Sequence, residues 1–246
     1  AKAGIIKPGC DVISYNNKPD VIRVLNQVCM QKGCTLYRTL RSNLRLMYAD
    51  IDGQVFTWNN GYDELEFRLA LLGKHQLMNA AVVLRTCEVL NKRGYNITYV
   101  HIRKGLETVK WPARFEVMKK DPLFIIDGGH NPQCTEALQE IIKDYLPKRK
   151  FIFIAGILAD KDYSSMIDSV AHFADEFICL TPDSPRALPA EKLAQVCEAK
   201  KRKAVVCSSP KEAVKLALDS GKDVIAFGSL YMAGGIRSAF RELMSS

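Results

Sequence analysis

The sequence predicts an α/β protein whose second half is a doubly wound, mostly parallel sheet and whose first half is richer in strands. Three observations lead there. Beyond Pro112, short and nearly continuous apolar runs (LFIID, KFIFIAG, EFICLT, AVVCS, DVIAFGS) alternate with amphipathic stretches, the pattern of parallel strands covered on both faces by helices. Before Lys110, strand-like segments are separated by turn signals such as Asp52-Gly53 and Asn60-Gly61, which mark hairpins. Finally, 246 residues that are 48% hydrophobic and 25% charged supply one large core or two ordinary ones.

In chain order, DVISY reads as a strand, residues 19–32 as a helix, and CTLYRTL, LRLMYADI, QVFTWN and LEFRLALL as further strands. Leu77, Ala80, Ala81, Leu84 and Cys87 recur at helical spacing between Gly73 and Gly94, and Gly94 supplies the stop. A second helix covers residues 99–109. After a boundary near Lys110, each apolar run is followed by a helix, over residues 133–145, 164–173, 189–199 and 210–220, with a last helix at the end. No internal repeat or low-complexity segment interrupts this order.

Composition narrows the class. No stretch approaches the roughly 20 apolar residues of a membrane span, and the start, AKAGIIKPGCDVIS, has no apolar segment followed by a cleavage site. The expectation is a cytoplasmic protein with no membrane partner. Eight cysteines without CxxC pairs read as buried free thiols rather than disulfides or zinc ligands. A net charge of +8 favours anionic partners. Lys148-Arg149-Lys150 and the run from Lys200 to Lys203 lack interleaved aromatics and read as solvated turns and helix ends, so no nucleic-acid partner is expected.

In an open parallel sheet, ligands gather at the carboxyl ends of the strands. Four such ends stand out: Asp127-Gly128-Gly129-His130-Asn131-Pro132, Gly156 to Asp162, Thr181 to Arg186, and Gly228-Ser229-Leu230-Tyr231. The first pairs glycines, which let backbone approach a ligand closely, with a helix start. His130, in a loop rather than on an apolar helix stripe, points to function more than packing. Asp127 has a plainer reading as a helix cap, and Asp160-Lys161-Asp162 a plainer one as a surface ion-pair cluster. No strand is followed by GxGxxG, and no GxxxxGK[ST] occurs, since Gly73-Lys74 continues to His75 and Gly221-Lys222 to Asp223; dinucleotide and P-loop readings therefore fall away for these residues.

Taken together, several strings resemble the folylpolyglutamate synthase and dihydrofolate synthase family, grouped with the Mur ligases. They are Lys2 to Gly9, Gly73-Lys74-His75-Gln76 leading to Asn79-Ala80, Trp111-Pro112-Ala113-Arg114-Phe115-Glu116, Asp127 to Pro132, Asp160-Lys161-Asp162, Arg186-Ala187-Leu188 and Gly228-Ser229-Leu230-Tyr231. Their order and spacing carry the likeness over almost the whole chain.

The resemblance implies that residues 1–110 complete a central ATPase domain, that residues 111–246 form a Rossmann-like C-terminal ligase domain, and that this chain is a fragment lacking the P-loop and inactive alone. It implies ATP, Mg2+, a folate and L-glutamate as ligands, an acyl-phosphate route to an amide, and a monomeric intact enzyme. Residue by residue, it implies Lys2 as a carbamylated metal ligand, Asn79 on the adenine side, Arg114 on the nucleotide phosphates and Asp127 on the ribose. His130 and Ser229 fall near the incoming glutamate, with His130 catalytic. Without the resemblance, Asn79 reads as a polar helix residue and Arg114 as part of a domain-interface ion pair. Ala113 stands where the family usually has glycine. The alternatives are a Mur-type ligase acting on a cell-wall precursor and a non-catalytic nucleotide- or anion-binding module.

Overall fold

The computed structural model describes residues 2–15 and 18–245. By their internal contacts they divide between Lys110 and Trp111 into two compact units.

In the first unit a short 3-10 helix (Lys2–Ile5) leads into β1 (Asp11–Ser14). Helix α1 (Pro19–Lys32) starts on a proline and stops at Gly33, whose φ of 61° lets its N–H turn back to the Cys29 and Met30 carbonyls; proline at the start and left-handed glycine past the end are how helices are punctuated. The chain returns as β2 (Thr35–Arg38), parallel to β1. A meander of β3 (Leu44–Asp50), β4 (Gly53–Asn59) and β5 (Glu64–Leu69) follows, then α2 (Lys74–Lys92) and α3 (Tyr99–Thr108). The core joins Phe56, Trp58, Phe67 and Leu69 of the sheet to Leu77, Ala80, Ala81 and Leu84 of α2 and to Ile102 and Leu106 of α3. The α2 residues are the helical stripe visible in the sequence. Buried Gln54 is satisfied by donating to the carbonyls of Leu71 (2.7 Å) and Gly73 (3.2 Å), which anchors the turn that starts α2.

In the second unit, β6 (Glu116–Lys120), β7 (Leu123–Asp127), β8 (Phe151–Ala155), β9 (Ala174–Cys179), β10 (Lys203–Val206) and β11 (Val224–Phe227) form one sheet in the order β10-β9-β8-β11-β7-β6. All pairings are parallel except that of β6 with β7. β6 escapes the sequence reading because EVMKK is short, charged and at a half-exposed sheet edge, where apolar patterning is weakest.

Helices α4 (Pro132–Tyr145), α5 (Tyr163–Ala171) and α6 (Ala190–Ala199) pack in succession, while α7 (Pro210–Asp219) packs on α8 (Leu230–Ser245). Alternate residues of the strands (Phe124, Ile126, Ile152, Ile154, Val224, Ala226) meet Val214, Ile236 and Phe240 of α7 and α8. Residues of the opposite parity include Phe153, Phe177 and Phe227, and the Phe153 ring lies 5.6 Å from each of the other two. Both faces are therefore buried, which explains the continuous apolar runs.

The basic runs lie in turns and at the start of β10, and they are paired: Arg149 with Asp223 (2.7 Å), Lys200 with Asp168 (2.7 Å) and Lys203 with Glu176 (3.1 Å). The cysteines are all free thiols, as the sequence reading expects; Cys29, Cys179, Cys197 and Cys207 are buried, and the other four are half-exposed.

Candidate functional site at the carboxyl edge of the parallel sheet

The register sets one row of strand ends. Phe227 is opposite Asp127 on one side and Ala155 on the other, and Ala155 is opposite Cys179. The four loops singled out in the sequence therefore leave the sheet at one level.

These loops are tied sideways. Gly156 donates its N–H to Phe227 O (3.2 Å), Ala159 to Arg186 O (2.8 Å), and Leu188 to Ile157 O (3.0 Å). Gly228 has φ 114°, and a Cβ there would fall 2.7 Å from Gly156 O, so only glycine fits. Asp160 pairs with Arg186 (3.2 Å) and Lys161 (3.4 Å). Burial opposes its ionisation, but the Lys161 and Arg186 charges prevail and hold the Asp160 carboxyl below its usual range. Asp162 instead caps α5, accepting from Ser165 N–H (3.1 Å) and Oγ–H (2.7 Å), and those bonds depress its pKa.

The segment from Trp111 to Glu116 folds as a tight turn with two left-handed residues, Ala113 (φ 57°) and Phe115 (φ 48°). The family's glycine at the first of these positions has a physical reason, because a side chain in that region costs about 1–2 kcal/mol. Three clamps hold the turn. Ala113 N–H donates to Glu116 Oε2 (2.9 Å), and Glu116 Oε1 is bound by Arg237 of α8 (2.9 Å). Gly128 N–H donates to Ala113 O (2.7 Å). Asp127 accepts Phe115 N–H on Oδ2 (2.9 Å) and Gly129 N–H on Oδ1 (2.8 Å).

Asp127 thus does not cap α4; Asn131 does, through Cys134 N–H (2.9 Å). The glycines after Asp127 also differ from expectation. A Cβ on Gly128 would sit 2.2 Å from Leu230 Cδ2, and one on Gly129 2.7 Å from Asp127 Oδ1. Their close approach is to the protein's own side chains.

Within this clamp Arg114 is half-buried, and its guanidinium has no partner among the described residues. His130 is half-buried with Nδ1 3.2 Å from Gly128 O. A carbonyl only accepts, so this bond puts the proton on Nδ1 and leaves Nε2 as an acceptor. Ser229 is 1% exposed, and its Oγ accepts Tyr231 N–H (3.1 Å) at the start of α8, so the hydroxyl supports a helix start rather than facing solvent. Arg114, Asp127, His130 and Ser229 all belong to the second unit; of Glu116, Arg237 and Leu230, which brace them, Glu116 and Leu230 lay within motifs, but Arg237 had no signal in the sequence.

Lys2 and Asn79 belong to the first unit. Asn79 is exposed near the start of α2, bonded to Gln76 (3.0 Å), at a cavity of about 570 Å3 lined in part by Tyr15, Arg41, Lys74 and His75. Lys2 is exposed in the first 3-10 helix. Among the described residues no three His, Cys, Asp or Glu side chains come together to hold a metal ion.

Residues 113–230 match the family described as Mur ligase, glutamate ligase domain. The chain is 33% identical to the folylpolyglutamate synthase of Lacticaseibacillus casei over 96% of its own length and 55% of that protein's. It is similar to the folylpolyglutamate synthases over almost its whole length. It is also 27% identical to the dihydrofolate synthase/folylpolyglutamate synthase of Bacillus subtilis, over 98% of this chain and 57% of that one. Among solved structures it is similar to the bifunctional folylpolyglutamate synthase/dihydrofolate synthase from Yersinia pestis, complexed with AMPPNP and a Mn ion. There the TM-score is 0.77 at 25% identity, covering 98% of this chain and 55% of the other. The chain therefore spans a little over half the length of these folylpolyglutamate synthases.

Proposed function

We propose that this chain is the glutamate-side part of an ATP-dependent ligase that adds L-glutamate to folates. Residues 1–110 would belong to its nucleotide-binding domain and residues 111–246 to its ligase domain. The observation that carries the reading is the clamped turn presenting an unpaired Arg114 beside the His130 loop. Two left-handed residues are costly unless the surroundings over-determine them, and such strain collects where a side chain must be aimed.

The chemistry asks for such a residue. A carboxylate is a poor electrophile; transfer of phosphate from ATP gives an acyl phosphate with a good leaving group, whose charge must be stabilised. Arg114 offers a permanent, bidentate donor for phosphate. His130, with its proton on Nδ1, presents Nε2 to take the proton that the amino group of glutamate releases as the amide forms. Asp127 keeps the two loops together, and a ribose hydroxyl would donate to the same carboxylate. Ser229 fixes the start of α8 beside Gly128 and so shapes the glutamate end of the site. Asn79 and its cavity fit the adenine side.

A divalent cation accompanies the nucleotide in the Yersinia relative. On this reading the cation is Mg2+, and a carbamylated Lys2 would be one of its ligands, supplying an anionic oxygen. The same reading makes the intact enzyme a cytoplasmic monomer acting on small molecules, with no nucleic-acid partner; no described helix is long and apolar enough to cross a membrane.

The test is to join these residues to the N-terminal part of the Lacticaseibacillus casei synthase and assay ATP-dependent glutamate incorporation. Folate and muramyl acceptors are offered separately. Incorporation into folate alone is expected; incorporation only into the muramyl acceptor would replace this reading with that of a cell-wall ligase.

A further inference from the structure

We propose that Cys10 and Cys34 form a reversible dithiol–disulfide site whose oxidant is a low-molecular-weight disulfide. The two cysteines immediately precede Asp11 and Thr35, which face each other at the start of the parallel β1–β2 pair. Neighbouring strands lie about 4.8 Å apart, within the roughly 4.4–6.8 Å between Cα atoms that a disulfide bridges. The sulfurs are already 3.8 Å apart. Side-chain rotation, without backbone movement, brings them together.

Access separates this pair from the other thiols. Cys10 and Cys34 are half-exposed, and Cys10 borders a shallow cavity of about 410 Å3 with Gly9, Asp11, Arg93 and Tyr95. The nearby Cys29 is 3% exposed, and burial, then the Cys34 and Cys10 thiols beside it, push its pKa up. The thiolate is the nucleophile, so Cys29 reacts least readily of the three. Cys179 also has a thiol neighbour, Cys197, whose hydrogen bond together with burial raises its pKa; both are 0% exposed and out of a reagent's reach.

The chemistry balances as ordinary exchange. The Cys10 thiolate attacks one sulfur of the small disulfide, forming a mixed disulfide and expelling one thiolate. Cys34 then gives its proton to solvent and attacks the Cys10 sulfur, expelling the second. Two protein thiols are oxidised, and one disulfide is reduced to two thiols. Cys34 Sγ–H now donates to Lys7 O (3.0 Å), and oxidation removes that tether on the segment joining Lys2–Ile5 to β1. The crosslink also closes a ring around α1, which restricts the unfolded chain and shifts the melting temperature of the first unit upward.

The experiment treats the 246-residue chain with glutathione disulfide, blocks remaining thiols with iodoacetamide and maps peptides by mass. The expected result is a Cys10–Cys34 linked peptide pair, loss of two of the eight thiols that iodoacetamide alkylates once the chain is unfolded, and recovery of both on adding dithiothreitol. In Cys34→Ser, Cys10 should stop at the glutathione adduct. Adducts on Cys10 and Cys34 without a crosslink, two unreacted thiols, or a crosslink running through Cys29 would each overturn the proposal. The wild-type map decides it even if the variant fails to fold.

Discussion

Asp127 shows how one side chain organises the candidate site. It is the acceptor for two backbone N–H groups from different loops, and each bond to a charged acceptor is worth about 1.5–3 kcal/mol. Asp127→Ala should therefore lower unfolding free energy by about 3–6 kcal/mol in urea titration, while Asp127→Asn, which keeps one acceptor oxygen, should lose less. Equal losses would refute the two-bond account. At Gly128, a methyl has no room between Leu230 and the Ala113 carbonyl, so Gly128→Ala should cost about 1–3 kcal/mol in the same measurement. The sequence displayed the site residues as motifs but misled on their mechanics. Glycines suggest close approach without saying to what, and in this loop the neighbours are Leu230, over 100 positions away, and Asp127 itself. Nor does spacing reveal that Arg237 braces Glu116, since a helix surface arginine looks alike whether or not it reaches back to a strand.

At the scale of elements, most of the fold was legible. The stripe Leu77, Ala80, Ala81, Leu84 lies in the core as its spacing requires, and α1 begins and ends where proline and glycine punctuate it. β6 was not legible, because an edge strand has only one neighbour to set its pattern. Helix starts were legible by residue type but misassigned at Asp127, where Asn131 does the capping. At α5, Asp162 caps the helix with bonds from Ser165, which lower its pKa. For a depressed carboxylate, the stabilisation is present above the unfolded pKa and is lost as pH falls through the folded value. The first turn of α5 should therefore loosen below about pH 4, read as faster amide exchange at Ser165. Ser165→Ala should return the Asp162 titration, followed by carboxyl NMR, towards the ordinary range; an unchanged titration would remove the assigned cause.

At the scale of the molecule, the second unit carries its own closed core, with both faces of the sheet covered by its own helices. Residues 111–246 expressed alone should unfold in one cooperative transition with native near-UV dichroism; a non-cooperative melt would show that the core is not self-sufficient. The functional account rests most heavily on Arg114, unpaired on a turn that three independent clamps hold in a strained conformation. The deciding measurement is ATP dependence of glutamate incorporation in the joined enzyme carrying Arg114→Ala. Loss of one charge-assisted phosphate contact predicts a fall in kcat/KM for ATP of roughly 10- to 100-fold, with unfolding free energy unchanged within about 0.5 kcal/mol. A variant with undiminished kcat/KM for ATP would contradict the account.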